Sequence, residues 1–406
     1  METLDEWPVE NGKPSILEKV MRFSVDAHAV GQHLTGNETY IRNLLNCFDV
    51  LDHEAEFVTY ISRHAAIADL PQRFRKKRVS VNPFVRLGYD LPRRVVEDRP
   101  KLLHVQYTAP LVCSAPVVVT VHDVSFLEHP EYFTSFSSLQ LRLTVRRTVK
   151  SASCVLTPSE FSKQRILDAY KLPEHKVAAV PYGVNSVFHP VARESAQRSM
   201  RAFSHAPVPF ILTVGDLQPR KNHVGLIHAF EDLVRNYPQL PHHLLIVGKE
   251  ETWHAPTVRA AAKNSQVADR IHFTGFVEDD ELRRLYGACD LFVYPSFYEG
   301  FGLPILEAMA CGRAVACSNT SAMPEVADSA ALLFDPASRR DLVFSMRDLL
   351  LNPELRQRME RLGVHRSGMF SWMSSAARTL EIYYAVAGAG EKGHQAFLKS
   401  SAVVPQ

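Results

Sequence analysis

The segment running from Tyr294 to Gly312, YPSFYEGFGLPILEAMACG, sets two carboxylates, Glu299 and Glu307, on either side of a glycine-bearing loop. Gly300 and Gly302 put no Cβ in the way, so backbone amides around Phe301 can approach a ligand closely. A helix opening near Leu303, with Pro304 in its first turn, offers unpaired N–H groups and a positive dipole end, a seat for diphosphate oxygens. Glu307 falls about one turn inside that helix, where it would repel a phosphate but accept from two ribose hydroxyls. Glu299 lies on the loop, aimed where a sugar carried by the diphosphate would project. Alone, the segment also reads as a tight strand–helix turn with an exposed glutamate. Two acids with seven residues between them, enclosing two glycines, are more restrictive than a lone G-x-G.

A second set of residues supplies the opposite charge. Val214-Gly215-Asp216-Leu217-Gln218-Pro219-Arg220-Lys221-Asn222 turns at Gly215 and opens a helix. Arg220 offers a planar fork and Lys221 a point charge to a leaving diphosphate. Cations are disfavoured at a helix start, so their presence there calls for an anion nearby. A third element, Val117–Val121 followed by His122-Asp123, puts an imidazole where ligands of parallel sheets bind. The alternative for His122 is a structural histidine satisfied by a backbone carbonyl. Gly31 to Gly36 offers one more close backbone approach, weakly marked because it is no G-x-G-x-x-G fingerprint.

The elements that must position these groups are legible as short β-branched runs alternating with helical patterns. Strands are expected at Phe23–Val25, Phe57–Ile61, Leu102–Gln106, Val117–Val121, Cys154–Thr157 and Val177–Val180. A second series follows at Phe210–Val214, Leu244–Val247, Ile271–Thr274, Leu291–Tyr294, Ala314–Cys317 and Ala331–Phe334. Continuous apolar runs separated by helices mark parallel strands covered on both faces. About twelve strands are too many for one ordinary open sheet, so two doubly wound α/β units are expected. The break falls in the polar stretch 186–208. The division is a tail over 1–20, a first domain over 21–195 joined by a returning helix at 370–387, a second domain over 196–369, and a loose tail over 388–406. Thr35 to Glu38 fits a capping box. Glu278-Asp279-Asp280-Glu281 reads as the acidic opening of a helix rather than a metal site.

Composition narrows the class. The chain has 406 residues, 46% of them apolar and 22% charged, with a net charge of +2, so nothing global argues for nucleic acid. Basic residues do cluster, at Arg73, Arg75, Lys76, Lys77 and Arg78, then at Arg93, Arg94, Arg142, Arg146, Arg147 and Lys150. They form either a solvated surface or one that meets anionic lipid. The six cysteines lack C-x-x-C spacing and read as reduced, buried thiols. The start of the chain has no apolar signal core. A cytoplasmic protein, at most peripheral on the inner membrane face, is expected.

Taken together, E-G-F-G-L-P-I-L-E-A-M-A, P-R-K-N, the strand ending in His122-Asp123, Pro158 to Ser162 and Pro324 to Ala327 resemble family 4 retaining glycosyltransferases. The likeness covers residue 21 to about 385 and is greatest to bacterial mannosyltransferases of O-antigen or exopolysaccharide assembly. It implies the GT-B fold, two Rossmann-like domains facing across a cleft, with the nucleotide-sugar donor on the second and the acceptor on the first. Carried over by residue, Glu307 would hold ribose hydroxyls. Glu299, with amides of Gly300, Phe301 and Gly302, would hold the donor sugar. Arg220 and Lys221 would take the diphosphate, joined by amides near Leu303 and Gly36 and by the turn at Gly215. Val277 would contact the base, and His122 would lie beside the sugar. GDP-mannose is the favoured donor, with UDP-sugars open. The acceptor is a glycan or polyprenyl-linked hydroxyl, and neither a metal nor another cofactor is implied. Asp216, Tyr182 and Asn185 depart from the family pattern, as does the L-T-G-N-E-T-Y loop.

Retention by same-face attack would let the departing phosphate take the acceptor proton, while a double displacement through Glu299 stays open. Two rivals are an epimerase of the same fold, which would consume donor without acceptor, and a non-catalytic sugar-binding protein. A phosphorylase is disfavoured because those chains are much longer and bind pyridoxal phosphate.

Overall fold

The computed structural model describes residues 21–32, 35–203 and 209–388. The tails expected at 1–20 and beyond Gly388 lie outside the described residues. The first sheet comprises β1 (Arg22–Asp26), β2 (Glu56–Ile61), β3 (Arg75–Arg78), β4 (Leu102–Gln106), β5 (Val117–Thr120), β6 (Cys154–Thr157) and β7 (Val177–Ala179). They stand in the order β3-β2-β1-β4-β5-β6-β7. The second comprises β8 (Phe210–Val214), β9 (His243–Val247), β10 (Ile271–Gly275), β11 (Leu291–Tyr294), β12 (Val315–Ser318) and β13 (Leu332–Phe334), in the order β10-β9-β8-β11-β12-β13. The pairings recorded in both sheets are parallel. β4, β5, β6, β11 and β12 are buried along their whole length, as strands covered on both faces must be.

Each sheet reverses its direction of growth once, between β1 and β4 and again between β8 and β11. Loops leaving such a pair go to opposite faces and open a crevice at the carboxyl end. The expected doubly wound pair is therefore present, with its two natural crevices.

Two differences from the expectations have physical reasons. The basic run at Arg75–Arg78 is an edge strand, paired on one side only, to β2. Charged side chains suit an edge, where they block further pairing. Two of its charges are met in place, Arg75 by Glu56 at 2.6 Å and Lys77 by Asp98 at 2.5 Å, and Arg73 just ahead of it meets Asp49 at 2.5 Å. Part of the polar connection is a helix, Arg193–Phe203, and Arg193 pairs with Asp290 and Glu360 on the second unit. The capping box expected over Thr35 to Glu38 turns on a side chain outside the described residues. The Glu38 carboxylate accepts from the Gly31 amide at 2.9 Å, holding the loop after β1.

The helix Trp372–Val386 returns to the first unit. Its Tyr384 hydroxyl donates to Asp52 at 2.7 Å, and Tyr383 meets Phe23 edge-on at 5.3 Å. Asp279, Asp280 and Glu281 form the first turn of the helix Asp279–Ala288, where acids complement the dipole. All six cysteines are free thiols, four of them buried.

Candidate active site

The two crevice-forming strands of the second sheet deliver the charged groups. Beyond β8 a single turn, Pro219–Lys221, carries Arg220 and Lys221; beyond β11 the loop carries Glu299. The loops are tied together, the Phe297 amide donating to the Arg220 carbonyl at 2.7 Å. Glu299 then takes both cations, Oε2 accepting from Arg220 Nη1 at 2.6 Å and Oε1 from Lys221 Nζ at 2.7 Å. Lys221 also donates to the Tyr294 hydroxyl at 2.7 Å, and Arg220 to the Tyr298 carbonyl at 3.2 Å. A Cβ on Gly215 would fall 3.0 Å from the Lys221 stem, so glycine there lets the lysine lie against the strand end.

Neither cation points to bulk water. The anion that their position called for is Glu299, which sequence reasoning had set against the sugar and apart from them. Burial alone would raise the Glu299 carboxyl, but Arg220 and Lys221 hold it down to about 2. Burial lowers the Lys221 ammonium, against the pull of Glu299. For Arg220 burial is outweighed by Glu299 and then by Asp123, which faces it from the first unit, and the guanidinium rises. Arg220, Lys221 and Glu299 alone carry one net positive charge, which Asp123 offsets from the first unit, so an incoming anion must compete with a carboxylate for the cations.

Gly302 caps the helix Leu303–Ala310 at φ 108, a left-handed conformation that glycine adopts without strain. Glu307, one turn in and half-buried, accepts from the Tyr286 hydroxyl at 2.9 Å. Burial pushes its carboxyl up to about 7, and Asp279 adds to that rise while Lys221 opposes it. A group in that state gains from any new hydroxyl donor that favours its charged form.

Other expected contacts prove different in kind. A Cβ on Gly300 would sit 2.0 Å from the His122 carbonyl oxygen, and the Gly300 carbonyl accepts from Ser159 Oγ at 2.7 Å and Ser162 Oγ at 3.1 Å. Gly300 is therefore required by contact between the units, whatever its backbone does for a ligand. The Phe301 ring is buried against Tyr182 at 5.1 Å and Phe370 at 5.8 Å, leaving only its backbone for the site. Val277 and Leu303 are half-buried on the core. Beside Val277, Phe276 is exposed under Lys249, whose Nζ lies 5.7 Å from the ring. Gly36 is exposed, and a side chain there would meet open space, so the geometry makes no demand for glycine.

His122 lies just past β5, and its ring is held by side chains rather than by a backbone carbonyl. Nε2 faces Gln106 Oε1 at 2.8 Å, and Nδ1 bonds the Tyr182 hydroxyl. A carbonyl oxygen only accepts, so with the amide placed this way Nε2 carries the proton and Tyr182 donates to Nδ1. Burial lowers the imidazole to about 3, which keeps it neutral. Tyr40 and Tyr107 pack on it at 5.2 and 5.3 Å.

Three of the four departures from the family pattern have local work. Tyr182 clamps His122 and stacks on Trp372 at 5.4 Å. Asp216 accepts from the Lys249 amide at 3.1 Å, and Asn185 from the Val187 amide at 3.2 Å.

Sequence reasoning missed several residues. Gln106 ends β4, and its Nε2 is buried with no protein partner among the described residues. Tyr107 follows at φ 58, a strained backbone for a bulky residue at the cleft edge. Glu325 takes the amides of Glu160 and Phe161 at 2.9 and 3.0 Å, joining two matched motifs across the units. The signal for Glu325 was its place in Pro324 to Ala327; nothing local marked Gln106.

Comparison with known proteins agrees with this architecture. Residues 34–187 match the model for glycosyltransferase family 4, and residues 198–365 that for glycosyl transferases group 1. The chain is 30% identical over 270 residues to O-antigen chain mannosyltransferase B of Escherichia coli, covering 66% of this chain and 69% of that one. It is 29% identical over 271 residues to the serotype-specific mannosyltransferase WbdA of Escherichia coli, covering 65% of this chain and 33% of that longer one. Sucrose-phosphate synthase from Thermosynechococcus elongatus shares the fold with a TM-score of 0.74 at 19% identity, over 91% of this chain and 100% of that one. The Anabaena protein HepE, solved with UDP and glucose, superposes with a TM-score of 0.71 at 18% identity, over 90% of this chain and 100% of that one. The chain belongs to glycosyltransferase family 4, with the GT-B architecture of two Rossmann-like units.

Proposed function

We propose that this glycosyltransferase moves mannose, with retention of configuration, from GDP-mannose to a hydroxyl of a glycan or polyprenyl-linked acceptor. The observation that carries the reading is the buried Arg220–Lys221–Glu299 cluster beside the helix that Gly302 caps. The mannosyltransferase relatives support the sugar, and the UDP seen in HepE supports a nucleoside diphosphate; a UDP-sugar is the competing donor. Donor entry places the diphosphate on Arg220, Lys221 and the amides at Leu303. Glu299, released from its cations, then accepts from sugar hydroxyls. Glu307 holds the ribose, Val277 the base through its backbone, and His122 with Gln106 the far side of the sugar.

The acceptor oxygen attacks C1 as the C1–O bond to the diphosphate breaks, and the departing phosphate oxygen takes the acceptor proton. Aimed donors stabilise the charge that builds on the leaving group. A Glu299 carboxylate whose oxygens accept from sugar hydroxyls is not free to attack C1, which favours same-face attack over a glycosyl-Glu299 intermediate. The two cations supply the counter-charge that a metal would, so turnover proceeds in a chelator.

Six free thiols suit a reducing compartment, and the reaction is assigned to the cytoplasm. Among the described residues no helix is long and apolar enough to cross a membrane. A lipid-linked acceptor is met from the surface, by peripheral contact through basic residues.

The test is nucleotide release with each of GDP-mannose, UDP-mannose and UDP-glucose, with and without acceptor. Acceptor-dependent GDP release supports the reading. Donor loss without acceptor points to an epimerase, and tight donor binding with no release under any condition to a binding protein.

A further inference from the structure

We infer that the helix Ser135–Ser151 and the two loops beside it form a docking face for an anionic lipid bilayer, distinct from the basic run at Arg73–Arg78. The helix exposes Phe136, Leu139, Arg142, Leu143, Arg146, Arg147 and Lys150 along one side, with Phe136 at 69% and Leu143 at 64%. Ser138, Val145, Thr148 and Val149 are buried on the other. No acidic residue occurs between Glu131 and Glu160. Arg142, Arg146 and Lys150 have no ion-pair partner among the described residues, whereas Arg73, Arg75, Lys77, Arg93 and Arg94 pair with Asp49, Glu56, Asp98 and Glu97.

The apolar surface continues off the helix. Arg147 Nη2 donates to the Pro110 carbonyl at 2.9 Å, and the Leu111 amide donates to the Leu87 carbonyl at 3.1 Å. Those links bring up Leu111 at 66%, Val112 at 72% and Phe84 at 69% exposure. Large side chains exposed together are uncommon on a monomer and mark an interaction surface. Apolar residues interleaved with unpaired cations, with the acid Glu131 at the edge beside Leu139 and Arg142, match a surface of acyl chains under anionic headgroups. A protein partner would need a surface equally rich in acids; a second copy of this chain would set its cations against their own kind.

The face begins at the cleft. Just ahead of the helix, His129 stacks on Tyr132 at 5.0 Å and meets Tyr298 of the second unit at 5.4 Å. A hydroxyl on a headgroup or lipid-linked glycan at this face thus lies beside the site of transfer. The inference sharpens the lipid-linked acceptor of the proposed reaction, but its readout does not require turnover.

The experiment is co-sedimentation of the full chain with phosphatidylglycerol-containing vesicles against phosphatidylcholine alone, at low and high salt. Binding to the anionic vesicles, weakened by salt, is expected. Each cation near such a surface contributes roughly fivefold, so Arg142→Ala/Arg146→Ala is expected to bind roughly twentyfold more weakly. Leu139→Glu/Leu143→Glu is expected to stay in the supernatant, with nucleotide release to a water-soluble acceptor unchanged. Wild-type protein left in the supernatant with anionic vesicles overturns the inference, as do variants that bind like wild type. A dimer that Leu139→Glu/Leu143→Glu splits, with vesicle binding untouched, assigns the face to a second copy and also overturns it. Vesicle binding without any nucleotide release leaves the docking face standing and removes the proposed reaction instead.

Discussion

At the carboxyl edge of the second sheet, Arg220, Lys221 and Glu299 are joined at 2.6 and 2.7 Å, each charged and each buried or nearly so. At the facing edge of the first sheet, His122 is kept neutral between Gln106 and Tyr182, packed by Tyr40 and Tyr107. The charged edge suits a ligand that carries charge and develops more of it on leaving. The neutral edge suits hydroxyls, which need placement rather than counter-ions. Both edges pack so closely, Gly300 against the His122 carbonyl, that electrostatics on one side act on groups fixed by the other.

The widest test of this contrast is Lys221→Ala. It removes a proposed diphosphate partner and half of the support for a buried carboxylate, and kcat/KM is expected to fall on the order of 100- to 1,000-fold. A loss of under tenfold in steady-state assays would put the leaving group elsewhere.

Next is Gly300→Ala, whose methyl group would collide with the His122 carbonyl 2.0 Å away. Displacing the two edges by about an ångström is expected to cost on the order of a hundredfold in turnover. Affinity for the nucleotide alone, held by the second unit, should stay near wild type by calorimetry.

A smaller effect is expected at Glu307. Its folded carboxyl is raised to about 7 by burial, so the protonated form is favoured in the free protein. That stabilisation is full below the usual carboxylate range and is lost as pH rises toward 7. Ribose hydroxyls favour the ionised form, so nucleotide binding should release a proton and tighten as pH rises through about 7. Glu307→Gln should weaken nucleotide affinity about tenfold and flatten that dependence, since losing a hydrogen bond to a charged group costs about 1.5–3 kcal/mol less whatever the amide regains. Calorimetry in buffers of different ionisation enthalpy reads both.

The smallest expected change is at the neutral edge. Tyr182→Phe strips His122 of its Nδ1 partner, for a stability loss of about 1–3 kcal/mol and a few-fold drop in turnover. An imidazole held at about 3 by burial contributes no titration near neutrality, so the pH–rate profile should lack a histidine limb in both proteins.

The strands were legible because both faces of each central strand are buried, which writes an unbroken apolar run into the sequence; the twelve expected lie within a residue of those found. β3 escaped because an edge strand need not be apolar, and RFRKKR has no alternation to read. The helix Arg193–Phe203 was hidden by a polar composition that resembles a linker. Within the site, Glu299, Glu307, Arg220 and Lys221 stood out because their spacing lies within single loop–helix segments. Their pairing did not, since 78 residues separate Lys221 from Glu299 and only the sheet order brings them together. Gly300 has a second reason that only the fold shows: local sequence cannot reveal that a glycine is needed for contact with a neighbouring domain. Tyr182 looked like a departure from a pattern, and only the fold reveals that its hydroxyl bonds His122 Nδ1.

A crystal structure with the nucleoside diphosphate bound would test the exchange of partners at the charged edge most directly. Phosphate oxygens are expected within hydrogen-bonding distance of Arg220 Nη1 and Lys221 Nζ, with the Glu299 carboxylate turned away from at least one of them. An undisturbed Glu299 ion pair to both cations, with the diphosphate seated on other groups, would contradict the assignment.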